Sequence, residues 1–294
     1  MSAQLPPVSG VQTAAISAGV CAFNAWQTVD FIADVHLQAG QPALFMAWQH
    51  YLLHTPADAV FILGDLFDAW VGDDAVSDGQ TAGGVGFEAQ CLHVLQAASQ
   101  RAQICLMHGN RDFLVGQAFA QACGITLIDD PCVLTMEDQR FLLTHGDALC
   151  LADTRYQQFR EQVRTQAWRD DFLARPLAVR RQMAADMRAQ SKAHRAMCAH
   201  NAGDVFDADV DHAVVQQWLD AARANTLIHG HTHLPADHQM ETQAGTQAGT
   251  QANTQTPRYR RVLGDWRDSA THPPVLRLCR PLDATMPRVC RLPS

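Results

Sequence analysis

A chain of 294 residues, 47% of them hydrophobic, can bury a full core as one large domain or as one domain carrying an inserted subdomain. Its formal net charge of −8 argues against a general nucleic-acid binder, which presents a basic face. No apolar run reaches the roughly 18 to 20 residues of a membrane-spanning helix. Nine cysteines without a C-x-x-C pair show no zinc knuckle and read as free thiols in a reducing cytoplasm.

Residues 1–27 are rich in Ala, Ser and Gln, with no Lys or Arg before the apolar stretch Val11–Phe23. They lack the positive n-region of a secretory signal and are expected to form a disordered extension. Short apolar runs then recur at Val29–Ala33, Ala59–Leu63, Ile104–Met107, Phe141–Thr144 and Leu227–Ile228, each ending in a polar loop marked by Gly. Helical stretches over Ala43–Leu53, Phe87–Ala98 and Phe113–Ala122 alternate with the early runs. That alternation predicts an α/β sheet with helices on its faces, spanning 28–150 and 223–290. In such sheets functional residues gather at the carboxyl ends of the strands.

Residues 151–222 show no strand pattern and several amphipathic stripes, among them Tyr156, Phe159 and Val163, and a second stripe of Phe172, Leu173, Leu177, Met183 and Met187. An all-helical block between two strands of one sheet predicts an inserted cap. Between Thr154 and Ala199 ten basic residues stand against four acidic ones, which suggests a surface for phosphates or anionic lipid. Residues 240–256 repeat TQAG, TQAG, TQAN, TQT, too polar and small to order themselves, and are expected to form a flexible hairpin tip. Two further strands follow at Arg258–Leu263 and Pro274–Leu278.

Five of these segments carry metal-ligand residue types. FIADVHL gives Asp34 and His36, ILGDLFDAW gives Asp65 with Asp68 nearby, and LMHGNRDF gives Asn110, Arg111 and Asp112. LLTHGD gives His145 and Asp147, and LIHGHTHLP gives His229, His231 and His233. A single D-x-H arises by chance, but five in succession after apolar runs form a joint signal. Two divalent cations about 3.5 to 4 Å apart activate water and hold phosphoryl oxygens for in-line attack. A carboxylate is needed to bridge them, and Asp65 is the central candidate. Mixed oxygen and imidazole ligands suit manganese, iron or zinc. Past a strand end alternate side chains point the same way, so D-x-H and H-x-H are expected to aim both ligands at one metal.

The order D-x-H, G-D-x-x-D, G-N-x-D, H-G-D, G-H-x-H resembles that of the calcineurin-like metallophosphoesterases from residue 28 to 235. The resemblance implies an α/β sandwich of mixed β-sheets flanked by helices. It also implies that Asp34, His36, Asp65 and His233 hold one metal, while Asp65, Asn110, His145 and His231 hold the other. Many members have His after the Asn, as an acid for an alkoxide leaving group. Arg111 stands there instead, too basic to donate a proton usefully but able to stabilise phosphoryl charge. That departure favours a leaving group that is itself a phosphate, hence cleavage of a pyrophosphate bond.

IADVHL, GDLFDAWVGDD, HGNRDFLVG, THGDALCLADTRYQQFR, MRAQSK, LIHGHTHLPA and RVLGDW together resemble the UDP-2,3-diacylglucosamine hydrolases of lipid A biosynthesis, from Phe31 to Trp266. This resemblance implies a Mn2+-dependent enzyme that cleaves UDP-2,3-diacylglucosamine by water attack at the α-phosphate, giving UMP and 2,3-diacylglucosamine 1-phosphate. It implies catalytic roles for Asn110, Arg111 and His231, and substrate contacts from Asn110, Arg111, Asp153, Ser191, Arg195 and His231. Cys198 stands where many members place Lys. An anionic membrane surface is the second partner implied. The protein is then expected in the cytoplasm, peripheral to the inner face of a bacterial inner membrane, with neither nucleic acid nor protein partner implied. Two other readings remain: a nucleotide pyrophosphatase or phosphodiesterase of soluble substrates, and a non-catalytic scaffold. The scaffold should have lost ligands, and here every ligand position is filled.

Overall fold

In the computed structural model residues 20–22, 26–78, 85–200, 209–240, 257–266, 273–280 and 287–292 are described, with 20–22, 192 and 194–200 described as backbone. The first half runs β1 (Val20–Ala22), β2 (Thr28–Ile32), α1 (Pro42–His54), β3 (Ala59–Leu63), α2 (Ala75–Asp78), α3 (Phe87–Ser99), β4 (Gln103–Met107), α4 (Gln117–Cys123), β5 (Thr126–Ile128), β6 (Cys132–Met136) and β7 (Gln139–Thr144). Three helices follow, α5 (Thr154–Val163), α6 (Gln166–Leu173) and α7 (Leu177–His200), and then α8 (His212–Ala222). The chain closes with β8 (Thr226–His229), β9 (Ala236–Met240), β10 (Arg258–Val262), β11 (Leu276–Cys279) and β12 (Arg288–Arg291).

The strands form two six-stranded mixed sheets, ordered β1-β6-β7-β8-β10-β9 and β12-β11-β2-β3-β4-β5. Period-two alternation explains why the strands read as continuous apolar runs: both faces are covered. Phe31, Phe61, Cys105 and Met107 point between the sheets, where they meet Leu134, Phe141, Leu143 and Ile228. Their neighbours Ile32, Val60, Ile62, Ile104 and Leu106 point outward against Trp48, Leu52, Leu95 and Phe119 of α1, α3 and α4. On the other side Val133, Leu142 and Leu227 carry Val215, Trp218 and Leu219 of α8. The result is four layers, helix, sheet, sheet, helix. Fully burying each such Phe or Leu contributes about 1.5–3 kcal/mol.

Several elements depart from the expectations. Val20–Ala22, inside the segment expected to be disordered, pairs in parallel with Val133–Thr135 and supplies the edge of β6 with a partner. Trp26 is buried against Phe61 at 5.9 Å between ring centroids; residues 1–19 and 23–25 lie outside the described residues. α4 starts at Gln117 instead of Phe113, because Asp73 accepts hydrogen bonds from Gly116 N and Phe119 N, both at 2.9 Å, and fixes the first turn there. α8 falls within 151–222 yet packs on the β7–β8 side of the sheet, so α5 to α7 alone stand over the other end. The repeat itself, 241–256, lies outside the described residues.

The flanks of that repeat are fixed. β9 and β10 are antiparallel, with Met240 opposite Arg258. Loop length costs little free energy once its ends are held. Deleting Thr242–Thr254 and closing the hairpin with an Asn-Gly turn is therefore expected to leave the thermal midpoint within about 3 °C of the parent. Insoluble protein from the deletion would show instead that the repeat packs against the body.

Candidate metal centre and adjoining pocket

Parallel pairing brings the carboxyl ends of the strands to one place. Ile32 pairs with Ile62 and Ile62 with Leu106, so the loops after β2, β3 and β4 leave side by side, carrying Asp34 and His36, Asp65, and Asn110. Thr144 pairs with His229, which places His145 beside the loop of His231 and His233. Backbone bonds lace the loops beyond the strands: Asp34 N donates to Gly64 O at 3.1 Å, His36 N to Asp65 O at 2.9 Å, and Gly230 N to His145 O at 3.0 Å.

The local backbone differs from the alternation expected for D-x-H. Asp34 (φ +54°), His36 (+54°), Asp65 (+53°), His231 (+66°) and His233 (+56°) all sit in the left-handed region. They are five of the seven described non-glycine residues with positive φ. Such conformations cost of order 1–3 kcal/mol each and persist only where the surroundings over-determine them. Ligand direction here comes from tight left-handed turns at the strand ends, not from extended chain. Gly64, Gly109 and Gly230 pass so close that an added Cβ would overlap His145, Asp65 and Asp34 respectively.

Two overlapping groups of ligand atoms result, Asp34 with His36 and His233, and Asp34 with Asp65 and His145, each within 4.8 Å. Asp34 belongs to both. His233 Nε2 lies 3.2 Å from Asp34 Oδ1, and His36 Nε2 lies 3.3 Å from His233 Nε2. His36 Nδ1 is 3.9 Å from Asp65 Oδ2, and His145 Nε2 is 3.8 Å from Asp65 Oδ1. Asn110 Oδ1 stands 3.0 Å from His145 Nε2 and 3.1 Å from His231 Nδ1. All seven expected ligands thus converge on one small volume.

Their charges depend on one another. Burial, with Asp112 and Asp34 adding, pushes Asp65 up to about 7 against the opposing charges of His145 and Arg111. Burial works to raise Asp34 too, but the hydrogen bond from His233 and the charges of His145, His233 and His36 hold it well below the usual carboxylate range. Burial works to lower His145, yet Asp65, Asp34 and Asp147 hold it up at about 9. Buried carboxylates and imidazoles that burden one another in this way fit divalent cations, whose charge relieves the crowding. Oxygen donors mixed with imidazole match transition-metal ions of the manganese, iron and zinc kind.

Supporting groups hold the ligands in place. Asp112, named in the sequence without a role, accepts from Leu66 N at 2.7 Å, Gly109 N at 2.8 Å, Asp65 N at 3.3 Å and Phe67 N at 3.4 Å, which ties the Asp65 and Asn110 loops together. Asp265, in the RVLGDW motif, lies 3.1 Å from His233 Nδ1, and His145 Nδ1 meets Leu63 O at 2.9 Å. Each fixes an imidazole so that Nε2 faces the site. Asp147 is fully buried and receives Tyr156 Oη–H and Arg160 Nε–H, the latter at 2.9 Å. The Tyr156 ring lies 6.0 Å from that of His231.

A cavity of about 480 Å³ covers the ligands and is bounded on α7 by Arg188 and Ser191. It shares Asn110, Arg111, His231, Arg188 and Ser191 with a second cavity of about 220 Å³, walled by Trp70, Phe113, Phe159, Trp168, Phe172 and Met187. Asp153 lines the second cavity while capping α5 through Tyr156 N at 2.9 Å. Arg195 lies on α7, its side chain outside the described residues, as is that of Cys198. Of the apolar stripe expected in the cap, Phe172 and Met187 line the cavity, Leu177 and Met183 pack against the core, and Leu173 is exposed.

Six of the ten basic residues of the expected cationic surface pair within the chain, although Arg181 and Arg188 keep 42% and 40% of their side chains exposed. Arg160, Arg164, Arg169, Arg180, Arg181 and Arg188 reach Asp147, Gly109 O, Phe113 O, Asp74, Asp78 and Asp68, all outside the helical segment. These arginines dock the helices onto the body. Charge counting along the sequence could not reveal that, because all these partners but Asp147 lie far away in the chain.

The model of the calcineurin-like phosphoesterases matches residues 27–235. This chain belongs to that family. Within it, the chain groups with proteins named UDP-2,3-diacylglucosamine hydrolase. The one from Chromohalobacter salexigens is 39% identical over 243 residues, covering 82% of this chain and 89% of its own. The one from Cellvibrio japonicus is 42% identical over 240 residues, covering 80% and 90%. The one from Aeromonas hydrophila is 38% identical over 254 residues, covering 85% and 94%. The chain is a hydrolase of this metallophosphoesterase family.

Asp65 makes metal binding depend on pH. Its folded-state pKa is raised to about 7, so below that pH a cation must displace its proton. His145, held up at about 9, must also lose its proton, so divalent-metal affinity is expected to rise with pH through 7 and on to about 9, with proton release seen at pH 6 and still at pH 8. Titration calorimetry in buffers of different ionisation heat measures this directly; a flat affinity from pH 5.5 to 8 would contradict it.

Proposed function

We propose that the protein hydrolyses the pyrophosphate bond of UDP-2,3-diacylglucosamine, with two Mn2+ ions bound. Water attacks the α-phosphate, giving UMP and 2,3-diacylglucosamine 1-phosphate (lipid X). The observation that carries this reading is the shared wall: Asn110, Arg111 and His231 border both the ligand cluster and an aromatic, apolar cavity. A substrate with a diphosphate at one end and acyl chains at the other suits that pairing. The names of the relatives support the same substrate.

Bound divalent cations supply a water of lowered pKa and charge to offset the phosphoryl oxygens. Asp34, His36, Asp65, Asn110, His145, His231 and His233 would hold them. Arg111 N donates to Asp65 Oδ1 at 2.8 Å, which ties the arginine to the ligand set. Arg111 lines the shared cavity, and a guanidinium offers charge and N–H donors there, so it stabilises charge on the transferring phosphoryl group. As the bond from the α-phosphorus to the bridging oxygen breaks, that oxygen leaves as part of a phosphate monoester and needs no protein acid. The aromatic walls exclude water and take acyl chain, while Asp153 and Ser191 offer polar groups to the sugar.

An acylated substrate resides in a bilayer, so we place the protein at the cytoplasmic face of a bacterial inner membrane, held peripherally. Among the described residues no helix is long and apolar enough to cross a membrane. With six arginines engaged within the chain, attraction to anionic lipid falls short of about 1 kcal/mol for each basic residue.

Asp65→Asn removes a charge that both metals feel, and turnover is expected to fall at least about a thousandfold. Near-normal turnover of that variant without added manganese would defeat the two-metal reading. Arg111→Ala is expected to lower kcat about a hundredfold while raising KM less, as for loss of one transition-state donor. The deciding experiment uses purified protein, Mn2+ and UDP-2,3-diacylglucosamine in ¹⁸O-labelled water, with the label expected in UMP. Equal kcat/KM for acylated and unacylated UDP-sugar would leave a general nucleotide pyrophosphatase.

A further inference from the structure

The apolar cavity beside the metal ligands is walled by helices as well as by the sheet domain. Helix α7 gives it Ala184, Met187, Arg188 and Ser191, and the last two also line the cavity over the ligands. Arg180 lies on the same face one turn earlier, four residues before Ala184, but does not line the cavity. It is only 3% exposed although it carries a charge. Its Nε donates to Arg175 O at 2.9 Å, its Nη1 to Val71 O and to Asp74 Oδ1 at 2.9 Å, and its Nη2 to Asp74 Oδ2. The fork is thus filled by a bidentate carboxylate and two carbonyls, a geometry that Lys could not reproduce.

The receiving loop is built for that guanidinium. Gly72 has φ +134°, and a Cβ there would overlap Arg180 Nη1. The next residue, Asp73, holds Trp70 Nε1 at 3.1 Å and Gly116 N at 2.9 Å, while Trp70 N donates to Arg111 O at 3.1 Å. A stretch of seven residues, 68–74, therefore meets α7 at both ends, through Asp68–Arg188 and Asp74–Arg180, and meets the Asn110–Arg111 loop in its middle.

We propose that Asp74 and Arg180 form a specificity-determining positioning pair, which sets the register of α7 along the cavity and so the fit of the apolar part of the substrate. The pair takes no part in the chemistry at the metal ligands. The proposal rests on the reading of an acylated substrate given above.

The test compares Arg180→Met, Asp74→Asn and the double variant with the parent, all with Mn2+. Asp74 is exposed, so its variant is expected to fold even if removal of the buried Arg proves damaging. For the acylated UDP-sugar each single variant is expected to raise KM about tenfold with kcat within about twofold. The double variant is expected to be no worse than Arg180→Met, because the two residues act as one unit. Hydrolysis of bis(4-nitrophenyl) phosphate, which reads the metal ligands without a lipid, should stay within about twofold of the parent. Equal losses on both substrates would overturn the proposal in favour of a general structural role, and unchanged KM in both single variants would overturn it outright. Hydrogen exchange supplies a readout independent of substrate: amides of 177–191 should exchange faster in the variants while β2 to β4 keep their protection. Unchanged exchange in α7 would sink the positioning pair. A parent enzyme indifferent to acylation would instead count against the substrate reading alone.

Discussion

Two carboxylates, Asp34 and Asp65, are buried side by side, and much of the molecule is arranged around that burden. Like charges taken out of water at short range raise each other's pKa and resist folding. The surroundings answer with donors from distant segments: His231 N to Asp34 Oδ2 at 2.9 Å, and Arg111 N to Asp65 Oδ1 at 2.8 Å. Left-handed backbone at five ligand positions adds a further conformational cost. Two fully packed sheets supply the rigidity that sustains it, since strand ends anchored in a close-packed core cannot relax individually.

The sequence made β2, β3, β4, β7 and β8 legible because they are buried on both faces and read as largely apolar runs. It made the ligands legible because each follows such a run. Other features depend on partners remote in the chain and leave little trace. β6 escaped notice although Cys132, Leu134 and Met136 alternate with Val133, as the inter-sheet face and the α8 face demand. Asp112 carries no local mark of its four backbone donors. α8 belongs by composition with the helices before it, and only its contact with Val133, Leu142 and Leu227 separates it from them. The D-x-H spacing was read as strand alternation, whereas the chain has already left extended geometry at Asp34.

The helices α5 to α7 and the ligand loops share one electrostatic unit. Burial works to raise Asp147, but Arg160, Arg164, His145 and His231 hold it well below the usual range. Arg164 also donates to Gly109 O at 2.8 Å, directly before Asn110. Through Arg160 and Arg164 an ionised Asp147 therefore joins helix α5 to two loops of the metal centre, its own after His145 and the one of Asn110. The helices that shape the apolar cavity thereby also bear on the stability of the ligand geometry.

Gly64, Gly109 and Gly230 acquire a meaning apart from their backbone angles. None can coordinate, donate a proton from a side chain or touch an acyl chain, yet the space beside each is already filled by His145, Asp65 or Asp34. A survey of every substitution along the chain would find these positions as intolerant as the ligands themselves. Replacement by Ala at Gly109 or Gly230 would act as a wedge, displacing a carboxylate while the sheets stay intact. The outcome would be a folded protein with an impaired site, separable by its melting behaviour from variants that fail because the core is damaged.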